Sequence, residues 1–142
     1  MGNNTELSHI HCQGNRLESI NVSNCLRLLE LNCSNNYLRG LNISSNTQLL
    51  NLVCQENRLE WLDVSDCPQL FSVDCRDNRL TELNVLNNRQ LVGLKCENNP
   101  GVNGVFEVTA WFDGASIPSK NFTQRDWLYK GEFITIKYVK VQ

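Results

Sequence analysis

No CxxC pair occurs in this 142-residue sequence, although it holds seven cysteines. Zinc-binding modules and thioredoxin-like redox motifs are built on such pairs, so neither is expected. An odd cysteine count also cannot pair completely within one chain. Excess positive charge is missing too: the formal net charge is −2. Nucleic-acid binders show a basic patch or stripe, so a partner of that class is not expected. No apolar run approaches the roughly 20 residues of a membrane-spanning helix, which argues against membrane insertion. No charged-then-apolar leader stands at the N-terminus. Met1-Gly2 is compatible with an expression scar, and the expectation is a natural chain that is longer and secreted.

What is present is repetition. Cys12, Cys33, Cys54, Cys75 and Cys96 are each 21 positions apart. Asn15, Asn36, Asn57, Asn78 and Asn99 keep the same step. So do Leu7, Leu28, Leu49, Leu70 and Leu91, and Ile10, Leu31, Leu52, Val73 and Leu94. Later in each unit come Leu17, Leu38, Leu59, Leu80 and Val102, then Ile20, Leu41, Leu62, Leu83 and Val105. Val22, Ile43, Val64 and Val85 complete the apolar set. The unit reads L-x-x-L-x-C-x-x-N-x-L-x-x-L-x-V-S-x-(C/N)-x-x.

The first part of this unit resembles the leucine-rich repeat, with cysteine in the third apolar place. Residues 7–105 carry the resemblance. The short unit leaves no room for a long helix, and in this it is similar to internalin-like and related bacterial surface repeats. The implied fold is a mainly β solenoid: about five repeats, a curved parallel sheet and a β-rich C-terminal cap. Three segments are expected: a short lead over 1–6, the solenoid over 7–105, and a cap or the start of a following module over 106–142. The resemblance implies binding on the concave sheet and no catalysis. It also implies a secreted or surface-attached bacterial protein, with an intracellular scaffold as the alternative.

Each column has a physical reading. The L-x-C segment alternates, as a half-buried strand does. Its inward side chains are Ile10/Cys12, Leu31/Cys33, Leu52/Cys54, Val73/Cys75 and Leu94/Cys96. Stacked about 4.8 Å apart, five strands make a sheet about 25 Å wide. The cysteine ladder could serve redox or metal chemistry, but a small apolar side chain in a narrow core is the simpler reading. Cys25 and Cys67 form a second column with Asn46 and Asn88, read as core or turn fillers. The asparagines ending each strand can both donate and accept, so they can satisfy the turn and tie rungs together. Ser23, Ser44 and Ser65 recur where they can bond a local turn. The rest of the unit is expected to be extended, 3₁₀ or short strand.

The outward columns vary while the core columns do not. They include Glu30, Asn32, Asn51, Val53, Gln55, Ser72, Asp74, Arg76 and Lys95. These are the candidate binding residues. They form a polar, mixed face with Val53 as its one apolar residue and no aromatic. A protein partner is expected, and a carbohydrate would also suit an amide-rich groove. Tyr37 and Trp61 lie beyond the sheet and could make a secondary edge. No cofactor or metal is expected. His9 and His11 lack a third ligand. Glu56, Asp77, Asn35 and Asn98 supply too few oxygens for calcium, and surface acids beside Arg76 and Lys95 are the plainer account. No histidine recurs beside the serines to make a nucleophile, and no phosphate-cradling glycine loop is present. The N-x-S/T triplets at Asn3, Asn21, Asn32, Asn42 and Asn121 are frequent by composition and carry no inference about location.

A solenoid needs caps. The polar lead cannot cover the first rung, so a longer natural chain is expected, or end-to-end contact of an otherwise monomeric protein. Beyond Asn99-Pro100-Gly101 the pattern decays. Val105–Phe112 reads as a strand, Asp113-Gly114 as a turn, Ile117-Pro118-Ser119 as a loop, and Trp127–Tyr129 with Phe133–Val141 as a hairpin. In Phe133–Val141, Ile134, Ile136 and Tyr138 share one face and Phe133, Thr135 and Val139 the other, and Trp111 and Trp127 read as cap core.

Overall fold

The computed structural model describes residues 4–111 and the backbone of two further segments, Trp127–Leu128 and Ile134–Tyr138. The strands among the described residues are β1 (His9–His11), β2 (Glu30–Asn32), β3 (Asn51–Val53), β4 (Ser72–Asp74), β5 (Glu82–Asn84), β6 (Gly93–Lys95), β7 (Phe106–Ala110), β8 (Trp127–Leu128) and β9 (Ile134–Tyr138). No helix occurs among the described residues. The L-x-C segments build a parallel sheet in the order β1-β2-β3-β4-β6, which β8 extends. Its first five strands pair in strict 21-residue register, for example Leu31 with Leu52 and Leu52 with Val73. The chain is therefore a parallel β-solenoid of about five turns.

Between strands lies one continuous core. Leu28, Leu31, Leu38, Leu49, Leu52, Leu59, Leu70, Leu80 and Leu91 have no exposed surface. Each contributes about 1.5–3 kcal/mol through burial. Cys33, Cys54 and Cys75 are equally sealed, all seven cysteines are free thiols, and Cys12 at the first rung is half-buried. A thiol is small enough to let each strand turn away from the sheet without a void.

The asparagine ladder closes the turn. Asn36 Nδ2 donates to the carbonyls of Cys33 and Ser34 on its own rung and of Cys12 on the rung before. Its Oδ1 accepts from the N–H of Leu17. Asn57 and Asn78 repeat this pattern one and two rungs later. Asn99 donates to Cys75 and Cys96 and accepts from Leu80. Asn15, on the first described rung, is exposed and donates to Cys12 and Gln13 of its own rung. A second ladder runs behind the first. Buried Asn46 donates to Val22 and Cys25, Cys67 Sγ lies 3.5 Å from the carbonyls of Ile43 and Asn46, and Asn88 donates to Val64 and Cys67.

The back of the solenoid is mostly turns, held locally. Asn21, Asn42, Asp63 and Asn84 each accept from the N–H two residues on, and Ser23 and Ser44 also donate their hydroxyls to Asn21 and Asn42. The fourth unit is the first described one to form a strand there, β5. It starts a second parallel sheet, β5-β7-β9.

Three expectations need correction. Val102 and Val105 are not core: they are 60% and 39% exposed. Leu83 instead pairs with Val108, and Phe106, Val108 and Ala110 fill the core. The cause is Pro100. In earlier units the N–H of Tyr37, Arg58 or Arg79 bonds the carbonyl one rung back. Proline has no N–H, so Gly101 makes that bond to Leu80 one residue late. The surplus chain folds into a small loop in which Val102 and Val105 bond each other across Asn103-Gly104, both at positive φ. Gly101 is also at positive φ, and a side chain there would collide with the backbone of Val105. Next, Trp127–Leu128 and Ile134–Tyr138 do not form a hairpin. Each pairs in parallel with a different sheet, β8 on β6 and β9 on β7, so the backbone there continues the winding. Finally, the sheet face carries more apolar surface than expected, as described below. The side-chain faces of Phe133–Val141, the Asp113-Gly114 turn, the loop at Ile117-Pro118-Ser119, Trp127 as cap core and the triplets at Asn3 and Asn121 fall outside the described residues and side chains.

Candidate functional site

The sheet places the outward columns side by side. Glu30, Asn51 and Ser72 are direct neighbours, as are Asn32, Val53, Asp74 and Lys95. Gln55 and Arg76 follow at the strand ends.

These side chains are tied to one another. Arg76 forms a two-pronged pair with Asp74, Nε to Oδ1 at 2.9 Å and Nη2 to Oδ2 at 2.8 Å. The same Nη2 donates to Gln55 Oε1 at 2.6 Å. Asp74 hydrogen-bonds Arg76 and so holds its guanidinium firmly in the charged form. Asp74 is itself only 9% exposed, which makes it the anchor of the cluster and not a free contact. Two rungs back, Asn32 Oδ1 accepts from both the N–H and the hydroxyl of Ser34. His11 Nε2 lies 2.7 Å from Glu30 Oε1. Asn98 Nδ2 donates to Asp77 Oδ1 at 2.8 Å, where Asn35, Glu56, Asp77 and Asn98 all hold positive φ at the turn. Among the described residues no three metal-binding side chains converge.

The sequence reading missed an apolar row along one margin of this face. In rungs two to five, two successive N–H groups converge on one carbonyl of the rung before. Leu29 and Glu30 both donate to Ser8, Leu50 and Asn51 to Leu29, Phe71 and Ser72 to Leu50, and Val92 and Gly93 to Phe71. Two residues per rung thus answer one acceptor, as in a bulge, and both escape burial. Leu29, Leu50, Phe71 and Val92 consequently stack on the outside over about 15 Å. Phe71 is 53% exposed and Leu50 38%. Ser72 follows Phe71 in the chain and pairs in register with Gly93, where a β-carbon would sit 3.2 Å from Ser72 Oγ. The apolar residues at 29, 50, 71 and 92 are 21 apart and could have been found in the sequence. Simple strand alternation assigned that column to neither face.

The thiols beneath the sheet are held neutral. Burial pushes the pKa of Cys33 and Cys96 up to about 12, and that of Cys67 up to about 11. Burial likewise raises Cys54 and Cys75 well above the ordinary thiol value. A maleimide dye at neutral pH is therefore expected to label Cys12 first. The buried ladder should react only as fast as the fold opens. Rapid native labelling of Cys54 or Cys75 would overturn this assignment.

No protein-family model and no curated protein matches the sequence. Among solved structures it is similar to the functional domain of InlJ from Listeria monocytogenes, which includes a cysteine ladder. The TM-score is 0.68 at 31% identity over 76% of this chain. The chain has the leucine-rich-repeat fold and resembles this internalin. This leucine-rich-repeat chain spans about a quarter of that solved chain, 26%. Its own cysteine ladder occupies the third apolar place of the repeat, where the motif otherwise carries leucine.

Proposed function

We propose that this repeat array is a non-catalytic module that recognises a protein partner across its concave sheet face, at a bacterial cell surface. The observation that carries the reading is the apolar row Leu29–Leu50–Phe71–Val92, exposed at Leu50 and Phe71, across the sheet face from a fixed polar patch centred on Arg76. Protein interfaces combine an apolar, aromatic anchor with a polar rim, and their hot spots favour aromatic residues and arginine. Arg76 is already oriented by Asp74 and Gln55, so little side-chain entropy is lost on binding. A non-catalytic role fits the face's chemistry. Ser8 Oγ lies 2.8 Å from His9 Nδ1, but both are surface groups with no acid orienting the ring among the described residues. The similarity to InlJ from a bacterium supports the location.

The test is surface plasmon resonance against purified surface-exposed protein domains, comparing the native chain with Phe71→Asp, Asn51→Arg and Glu18→Lys. All four should melt alike. For any domain bound, Phe71→Asp is expected to weaken affinity at least tenfold, consistent with a hot spot of about 2 kcal/mol. Asn51→Arg should weaken it less, and Glu18→Lys on the back not at all. Binding that survives both sheet-face changes would defeat the proposal.

A further inference from the structure

The back of the solenoid holds a second candidate site, separate from the sheet face. A cleft of about 370 Å³ opens there between the third and fourth rungs. That volume lies within the range of small-molecule sites. The back sheet stops at this point: β5 is paired on one side only, with β7, and the segment holding Trp61 and Asp63 does not add a strand to it. The cleft is lined by Trp61, Asp63, Ser65, Thr81, Glu82 and Asn84, among others.

Trp61 is the notable member. It is 54% exposed, and a large aromatic side chain left in water on a fold with a complete core calls for a reason. Its indole reaches over the second rung, where Gly40 presents no side chain. Indole Cζ2 and Cε2 lie 3.6 and 3.9 Å from where a β-carbon of Gly40 would stand. The ring is thus supported from below while it borders the cleft.

The polar lining decides the class of ligand. Asp63 is already engaged, because its carboxylate accepts from Ser65, and this holds its pKa below the ordinary carboxylate value. Asn42 and Asn84 use their side-chain oxygens in the same way in neighbouring units. The carboxylate of Asp63 therefore belongs to the turn and not to a cation site. The Ser65 hydroxyl is likewise engaged with Asp63, and the remaining polar lining is mixed: the hydroxyl of Thr81, the Nδ2 donor of Asn84 and the acceptor Glu82. No arginine or lysine lines it, so an anionic ligand is disfavoured. An aromatic plate beside alternating donors and acceptors matches a neutral sugar, whose ring presents C–H groups on one face and hydroxyls around its rim. We propose that this cleft is a binding subsite for a neutral saccharide, with Trp61 as the stacking platform and Glu82 and Asn84 as hydroxyl partners. A neighbouring cleft of about 310 Å³, also bordered by Thr81 and Glu82, leaves room for a further sugar unit.

The test is isothermal titration of the whole chain with cellobiose, maltose and N,N′-diacetylchitobiose, beside a trilysine peptide. At least one disaccharide should bind saturably. Trp61→Ala should reduce that affinity at least tenfold and Trp61→Phe less, since a smaller aromatic plate remains. Glu82→Gln should weaken it severalfold. Phe71→Asp, on the sheet face, should bind as the native chain does, which separates this site from the protein-binding face. Trp61 is at the surface, so its variants should melt within a few degrees of the native protein. No saturable response from any of the three sugars overturns the proposal. So does a response that Trp61→Ala leaves unchanged, or Trp61-dependent binding of trilysine alone.

Discussion

Under reducing conditions the chain is expected to unfold abruptly between about pH 9 and pH 11. Five thiols, Cys33, Cys54, Cys67, Cys75 and Cys96, have at most 2% of their surface exposed. Their folded pKa values stand at about 11 or 12 where a value is defined, and well above the ordinary value for Cys54 and Cys75. An unfolded thiol titrates near about 8.5. The folded values are raised, so the stabilisation is whole below the unfolded pKa. It is lost as pH climbs from there towards the folded values, because only the unfolded chain releases its protons. Each thiol contributes a limiting slope of about 1.4 kcal/mol per pH unit, and five together about 7. A domain's entire stability is about 5–15 kcal/mol, so one to two pH units should suffice. Chemical denaturation at a series of pH values measures the slope. A Cys54→Ala/Cys75→Ala variant will start less stable, because it loses buried volume, but its alkaline slope should be shallower by about two fifths. An equal slope in both would show that the ladder does not govern the transition.

Asn57→Ala is expected to destabilise the fold by about 3–5 kcal/mol, lowering the melting temperature by about 10 °C. One buried amide serves four backbone groups across two rungs: the carbonyls of Cys33, Cys54 and Gln55 and the N–H of Leu38. Alanine leaves all four without that partner, where water cannot readily replace it. Asn57→Asp separates the two halves of the amide. It keeps an acceptor for Leu38 but turns a carboxylate towards three carbonyl oxygens. It should be at least as damaging as alanine at neutral pH and should recover as pH falls, because protonation restores a donor. Asn15→Ala is the internal control. That side chain is exposed and reaches only its own strand, so its loss should cost under about 1 kcal/mol. Equal effects at positions 15 and 57 would contradict the ladder as a tie between rungs.

The sequence by itself determined the solenoid. A step of 21 residues, repeated through the cysteine, asparagine and leucine columns, permits one stacking register, and strand alternation then assigns Ile10, Leu31, Leu52, Val73 and Leu94 to the core. Such columns are legible because packing tolerates so few alternatives at zero exposure. The polar columns of the sheet face were legible as a face, but their mutual bonds were not: that Asp74 is a nearly buried anchor for Arg76 depends on rung-to-rung distances.

Only the tertiary structure decided where the pattern slips. The missing N–H of Pro100 moves the last tie to Gly101, expels Val102 and Val105, and brings Val108 onto Leu83. The paired N–H groups at each strand entrance turn Leu50 and Phe71 outward, against the plain two-residue alternation. The back sheet stops at β5, beside the cleft that Trp61 borders. Each of these follows from which backbone hydrogen bond is made to the neighbouring rung, a choice settled by the geometry of the stack and invisible in the composition of any single repeat.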